Sequence, residues 1–263
     1  MTEITPIDTA HAAMEAAPED DAARMRFYER LADSELFLML TQEAKDDTIN
    51  PDLFELPEAT FALAFDREDR LAQFAGRAVP YVALSGRVIA GMMAGQGIGL
   101  GLNLDVAPSA ILIPPQAVDW LAATLSETPD QVEERIKEFT HPAALPETLL
   151  TALDTKLAMT AGLARQAYLV GTTSETGAKG HLLAFVDAKE TAQSALAKAV
   201  GEALTFSALD AGVLDVGFFD AHDPTAAALA RHGLRFDLPE PERPARVEHI
   251  APGSDPDKPP ILK

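Results

Sequence analysis

Cysteine is missing from this sequence altogether. Its absence excludes disulfide bonds, thiolate nucleophiles, and zinc or iron–sulfur sites held by cysteine. Basic residues are also scarce, because 21 Lys and Arg stand against 41 Asp and Glu and leave a formal net charge of −20 at pH 7. Nucleic acids and anionic lipid surfaces bind through clustered Lys and Arg. The charge therefore predicts that neither nucleic acid nor membrane is a partner.

Long apolar runs are absent as well. The sequence contains no stretch of about 18 apolar residues that would span a bilayer. The segment from Met1 to Asp21 carries several acids and lacks the apolar core of a signal peptide. We therefore predict a cytoplasmic protein.

What is present is ordinary globular sequence, 263 residues long and 47% hydrophobic. Segments typical of strands and helices alternate in both halves, which predicts an α/β (α+β) fold of two modules. Each module is expected to be a small mixed β-sheet with packed helices. We place the modules at residues 20–126 and 147–237, with a linker at 127–147, and residues 238–263 are expected to form a proline-rich C-terminal tail.

The first module is expected to begin with a helix near Asp20, after a frayed leader at residues 1–19. The acids of this helix are interpreted as a solvent-exposed face. They are Asp20, Asp21, Glu29, Asp33 and Glu35.

Two further interpretations concern single helices of this module. The segment DREDRLAQFAG predicts a short helix with Asp66 as its N-cap and Gly76 as its end. Trp120 lies on the expected inward side of a later helix, which favours a position in the core.

The most distinctive pattern is GQGIGLGLN, in which glycines alternate with larger residues from position 95 to position 101. A period of two predicts a strand with one bare face, where either another part of the backbone or a ligand approaches closely. A dinucleotide-binding turn is disfavoured, because the third glycine of that motif would fall on Leu100. The candidate ligand-binding residues are Gly97, Gly99, Gly101 and Asn103.

In the second module, Asp220, His222 and Asp223 follow an expected strand and are weak candidates for a metal or acid–base site. The simpler alternative is that Asp223 caps a helix that begins with Pro224. His181 is interpreted as a strand-end residue, and DQVEERIKEF, in the linker region, predicts a short helical piece.

Several phrases of the sequence resemble the SseB (enhanced serine sensitivity) family. In the first half these are FALAFDREDRLAQFAG, YVALSG, GIGLGLN and SAILIPPQAVDWL. In the second half QAYLV, GHLLAFVD and LDVGFFD resemble the domain that follows in that family. The resemblance implies two α/β domains and a link to serine sensitivity, and it implies no cofactor and no catalytic residue.

Three functions are compatible with these features. The sequence favours a non-enzymatic accessory or regulatory protein that acts through a protein partner or as a homo-oligomer, because no catalytic motif is concentrated anywhere. The alternative is a sensor that binds a small metabolite such as an amino acid. An enzyme that uses Asp and His chemistry is the third hypothesis.

Overall fold

The computed structural model describes residues 3–44, 49–127, 136–209 and 214–239. These residues form two mixed β-sheets with helices packed on them, so the predicted α/β fold of two modules is confirmed. The helices are α1 (Pro6–Ala16), α2 (Asp21–Asp33), α3 (Glu68–Ala75), α4 (Gly86–Met93), α5 (Pro115–Ser126), α6 (Glu147–Ala158), α7 (Gln193–Phe206) and α8 (Pro224–His232). The strands are β1 (Glu35–Met39), β2 (Leu53–Glu55), β3 (Thr60–Phe65), β4 (Tyr81–Ser85), β5 (Ile98–Leu102), β6 (Ile111–Ile113), β7 (Ile136–Thr140), β8 (Gln166–Ser174), β9 (Lys179–Val186), β10 (Asp215–Phe219) and β11 (Leu234–Phe236).

The first sheet has the strand order β4-β1-β3-β5-β6, and β2 pairs with β3 along the same edge as β1. Strands β3 and β5 run parallel, with Phe61 opposite Gly99 and Leu63 opposite Gly101. The remaining pairs are antiparallel. Parallel strands need a long connection, and here α3, β4 and α4 supply it.

Helices cover both faces of this sheet. Side chains from α1, α2, α4 and α5 form the main core, with Phe27, Leu36 and Ile89 almost fully buried. On the opposite face Phe65 and Leu71 join a smaller cluster beneath α3. Full burial of a large apolar side chain contributes about 1.5–3 kcal/mol, so these two clusters are the main source of this module's stability.

The predicted frayed leader is wrong, because residues 6–16 form α1. Thr5 and Asp8 close a reciprocal capping box at its N-terminus: the Thr5 hydroxyl accepts from the Asp8 N–H at 3.2 Å, and the Asp8 carboxylate accepts from the Thr5 N–H at 3.0 Å. Pro6 occupies the first turn, where its missing N–H costs nothing. Ile7 enters the main core with 1% of its surface exposed.

A buried arginine fixes α1 to the sheet. The Arg70 side chain is 1% exposed and donates hydrogen bonds to the carboxylates of Asp8 and Asp66. Burial by itself raises the pKa of Asp8, but the hydrogen bonds from Arg70 and the Ser109 hydroxyl outweigh it and lower that pKa to about 2. Asp66 is therefore not the N-cap that we predicted, and α3 begins after Arg67 without a side-chain cap. The predicted end at Gly76 is confirmed by its left-handed φ of 62°.

The second sheet has the order β10-β9-β8-β11, and β7 also pairs with β8. Strands β8 and β9 form the predicted hairpin, paired from Gln166–Val186 to Thr173–Lys179. Strands β9 and β10 are parallel and are connected through α7. Helices α6 and α7 pack on one face of the sheet and α8 on the other.

Strand β7 lies in the region that we interpreted as linker and short helix. Residues 136–140 pair antiparallel with β8, with Phe139 opposite Thr172, so the helical prediction is wrong for them. Ile136 and Phe139 pack against the cluster beneath α8, which shows that tertiary pairing overrides local helix propensity here. Residues 130–135 of that segment, and the tail beyond Pro239, lie outside the described residues.

Candidate functional site

The glycines of β5 are packed against neighbouring segments of the same polypeptide. A Cβ atom added at Gly99 would lie 2.5 Å from the Ile113 carbonyl oxygen and 2.6 Å from the Phe61 ring. A Cβ at Gly101 would lie 2.9 Å from a methyl group of Leu104. Close approach of neighbouring chain, one of the two alternatives for the glycine pattern, therefore explains the glycines at these two positions. Gly97 lies in the turn before the strand, where its φ of 70° is in the left-handed region that favours glycine.

Asn103 is fully buried and its side chain is engaged within the fold. Its Oδ1 accepts from the Asp66 N–H at 3.0 Å, and its Nδ2 donates to the Ser109 hydroxyl at 2.9 Å. Its φ of 50° lies in the left-handed region, which Asn tolerates better than most residues. Asn103 thus joins β5 to the network around Arg70.

The acidic turn after β10 is engaged in local backbone contacts. Asp220 accepts from the His222 N–H at 2.8 Å, and Asp223 accepts from the Thr225 N–H at 2.7 Å as the N-cap of α8. Within the described residues no group of three or more His, Asp or Glu side chains is arranged to hold a metal ion. The His181 Nε2 donates to the Ala143 carbonyl oxygen at 2.9 Å.

The two modules meet through α2 and α7, and charged side chains are buried between them. Lys156 of α6 is only 3% exposed, and its Nζ lies 2.6 Å from Asp33, 3.1 Å from Glu202 and 3.6 Å from Glu29. Arg87 of α4 pairs with Asp33 and Glu202 as well. We call these five residues the interface charge cluster. The prediction that Glu29 and Asp33 lie on a solvated face is wrong.

The carboxylates of this cluster are not equivalent. Burial raises the pKa of Glu29, and the attraction of Lys156 offsets this only in part. Burial also raises the pKa of Glu202. Hydrogen bonds from Arg87 and the positive charge of the nearby Lys156 outweigh this effect and hold that pKa below its usual range. Glu29 Oε1 accepts no hydrogen bond, because 3.6 Å to Lys156 Nζ is too long for one. Glu29 is therefore the weakly satisfied member of the cluster.

A cleft of about 630 Å³ lies next to the interface charge cluster, and Glu29 forms part of its wall. One side of this intermodule cleft is formed by α1 and α2, and the other by α6 and the end of α7. Its lining is mainly apolar, and hydroxyl groups and two arginines, Arg26 and Arg30, supply polar groups. In this cleft both modules present polar side chains to a common space large enough for a ligand.

Trp120 lies beside the same interface and is 36% exposed, so the prediction of a core position is wrong. Its ring makes edge contacts with Tyr28 of α2, at 5.3 Å between centroids, and with Phe206 of α7, at 6.4 Å. Trp120 thus belongs to the contact between the modules.

Comparison with known proteins bears on the first module. Residues 10–120 match the family model described as the SseB protein N-terminal domain. The match covers less than half of the chain, and it shows that the first module is similar to that domain. No curated protein and no solved structure matches the chain. The likeness of the second module to the following SseB domain remains a prediction.

The region that matches this family model supplies one half of the candidate site. Its matched range includes most of α1 and all of α2, and hence Glu29, Asp33 and Arg30. Lys156 and Glu202 come from the second module, outside that range. Lys156 follows Leu149 and Leu153 on the buried stripe of α6. A lysine at such a core position was the one sequence signal that could have indicated this site.

Proposed function

We propose that this protein is a non-enzymatic regulatory protein of the cytoplasm that binds a small metabolite between its two modules. The observation that carries the proposal is the intermodule cleft of about 630 Å³. Sites for small ligands have volumes of about 300–1,000 Å³ and occur preferentially at domain interfaces. Both modules contribute polar side chains to this cleft, so a ligand that fills it would contact both at once.

An amino acid is the first ligand class to test, because the SseB family takes its name from enhanced serine sensitivity. A regulator also needs something that responds to its bound state. We infer that a protein partner, or a second copy of this chain, has this role. The net charge of −20 supports a protein over nucleic acid or an anionic membrane.

The experiment is a thermal-shift screen of the full chain against amino acids, nucleotides and other common metabolites. A ligand at 100 times its dissociation constant stabilises the folded state by about 2.7 kcal/mol, which raises the melting temperature by several degrees in a protein of this size. The screen is repeated on A13W, because Ala13 lines the cleft and a tryptophan there would fill part of it. The matched control is A12W, a change at an exposed neighbour that does not line the cleft.

A ligand that stabilises the wild-type chain and A12W, but not A13W, supports the proposal. A complete screen without any shift contradicts it. A ligand that stabilises all three chains equally contradicts it too, because binding would then occur outside the cleft.

A further inference from the structure

The interface charge cluster is one positive charge short. It contains the carboxylates of Glu29, Asp33 and Glu202 and the cations of Lys156 and Arg87. Asp33 and Glu202 each contact both cations, whereas Glu29 reaches only Lys156, at 3.6 Å. The side chain of Glu29 is 9% exposed and lines the cleft. A cation bound in the cleft beside Glu29 would balance the cluster.

The hydroxyl groups of the cleft also favour a ligand that donates hydrogen bonds. Thr151 and Thr155 lie one turn apart on α6, and each donates its proton to a backbone carbonyl four residues earlier, at 3.0 and 2.9 Å. Thr9 on the opposite wall does the same at 3.2 Å. These hydroxyls keep only lone pairs for a ligand, because a hydroxyl has a single proton. These three threonines therefore offer hydrogen-bond acceptors to a ligand.

Arg30 supplies a positive charge and hydrogen-bond donors to the same cleft. It is half-buried and lines the cleft next to Glu29 in sequence. Arg30 forms no salt bridge with any carboxylate that the structure describes, whereas Arg24 and Arg26, on the same helix, do. A guanidinium fork is suited to binding a carboxylate in two parallel hydrogen bonds.

We propose that the ligand of this cleft is a zwitterion, with an ammonium group seated at Glu29 and a carboxylate paired with Arg30. This inference rests on the proposed function. Two sources supply that chemistry, free amino acids and short peptides. A cleft of about 630 Å³ exceeds what a small amino acid fills, and the threonine lone pairs would accept peptide N–H groups.

Titration calorimetry on the full chain distinguishes the sources and tests the charges. The zwitterionic probes are L-serine, L-alanine, L-alanyl-L-alanine and tri-L-alanine. Each charge is removed in turn with N-acetyl-L-alanyl-L-alanine and with L-alanyl-L-alanine amide. Spermidine and succinate carry charge of one sign only. We expect a zwitterion to bind, and either blocked dipeptide to bind about 10- to 100-fold more weakly than its parent, the range expected for loss of one charge-assisted hydrogen bond.

E29Q tests the ammonium site on the protein side. The substitution keeps the shape of the side chain and leaves the cluster with two negative and two positive charges, so the fold should tolerate it. Zwitterion affinity should fall about 10- to 100-fold in E29Q. It should not change in E19Q, which alters an exposed carboxylate away from the cleft.

The two proposals fail in different ways. If spermidine or succinate binds as well as any zwitterion, and A13W abolishes that binding, the zwitterion inference is overturned and the proposed function stands. If blocked and unblocked dipeptides bind equally, or E29Q binds like the wild-type chain, the inference is overturned as well. If none of these probes binds and the metabolite screen shows no shift, both proposals are wrong.

Discussion

Replacing Lys156 by methionine should cost this protein a large part of its stability. Methionine fills a similar volume, so the main change is the loss of one buried positive charge. Asp33 and Glu202, at 2.6 and 3.1 Å from Lys156 Nζ, then depend on Arg87, which is 36% exposed. Glu29, at 3.6 Å, loses its one cation in the cluster. Removing one partner from a buried ion pair costs about 3–5 kcal/mol. We expect the free energy of unfolding of K156M to fall by that amount at pH 7.

Urea unfolding of the full chain, with linear extrapolation to water, measures this difference. The matched control is K137M, because Lys137 is exposed on β7. Surface substitutions of this kind change stability by less than about 0.5 kcal/mol.

The pH dependence gives a second test of the same reasoning. Burial already raises the pKa of Glu29, and removal of Lys156 raises it further, because Lys156 is the main group that lowers it. A carboxyl group whose pKa is raised on folding stabilises the folded state at pH values below its unfolded-state pKa. This stabilisation is lost as the pH rises through the folded-state pKa. The deficit of K156M should therefore be smaller near pH 5 than near pH 8. A deficit below about 1 kcal/mol at pH 7, or one that grows as the pH falls, would refute the reasoning, since a broken buried ion pair costs more than that.

Three further predictions concern the first module. D8N should lose about 2 kcal/mol at pH 7, since the pKa of Asp8 falls from 3.8 to about 2 on folding. Urea unfolding at a series of pH values should show this loss disappear as the pH falls from about 4 to about 2. A carboxyl group whose pKa is lowered on folding stabilises the folded state only while it is ionised there. G99A should lower stability by about 1–3 kcal/mol through its clash with Phe61 and the chain beside it. G91A, on an exposed helix position with open space, should raise stability by about 0.5–1 kcal/mol in thermal denaturation.

Local patterns predicted much of the fold. The strand at Thr60–Phe65, the glycine stop of α3 and the hairpin of β8 and β9 each depend on signals within a few residues. Helix α1 was missed although Thr5, Pro6 and Asp8 form a capping signal, because the alanine-rich segment after them has little apolar periodicity. Strand β7 was missed because its structure depends on pairing with β8 and not on its own charged sequence.

Local sequence patterns did not predict the candidate site. Asp33 and Lys156 are 123 residues apart, and an acidic helix face gives no sign that a lysine from another module will cover it. The walls of the cleft come from helices on both sides of the module boundary, so no contiguous motif marks them. The glycines of β5 attracted a ligand hypothesis for a related reason. Alternating glycine indicates close approach, and only the folded chain shows that Phe61 and Ile113 are what approaches.

The position of Trp120 gives this protein a built-in optical probe. It is the single tryptophan of the chain, and its indole touches a ring from each module, Tyr28 on one side and Phe206 on the other. Excitation at the red edge of protein absorbance therefore reports on one location, without any label. If the modules separate, or a bound molecule shifts α2 against α7, the emission wavelength and its quenching by iodide should change together. Rapid-mixing fluorescence on the unmodified chain would then record the movement in real time.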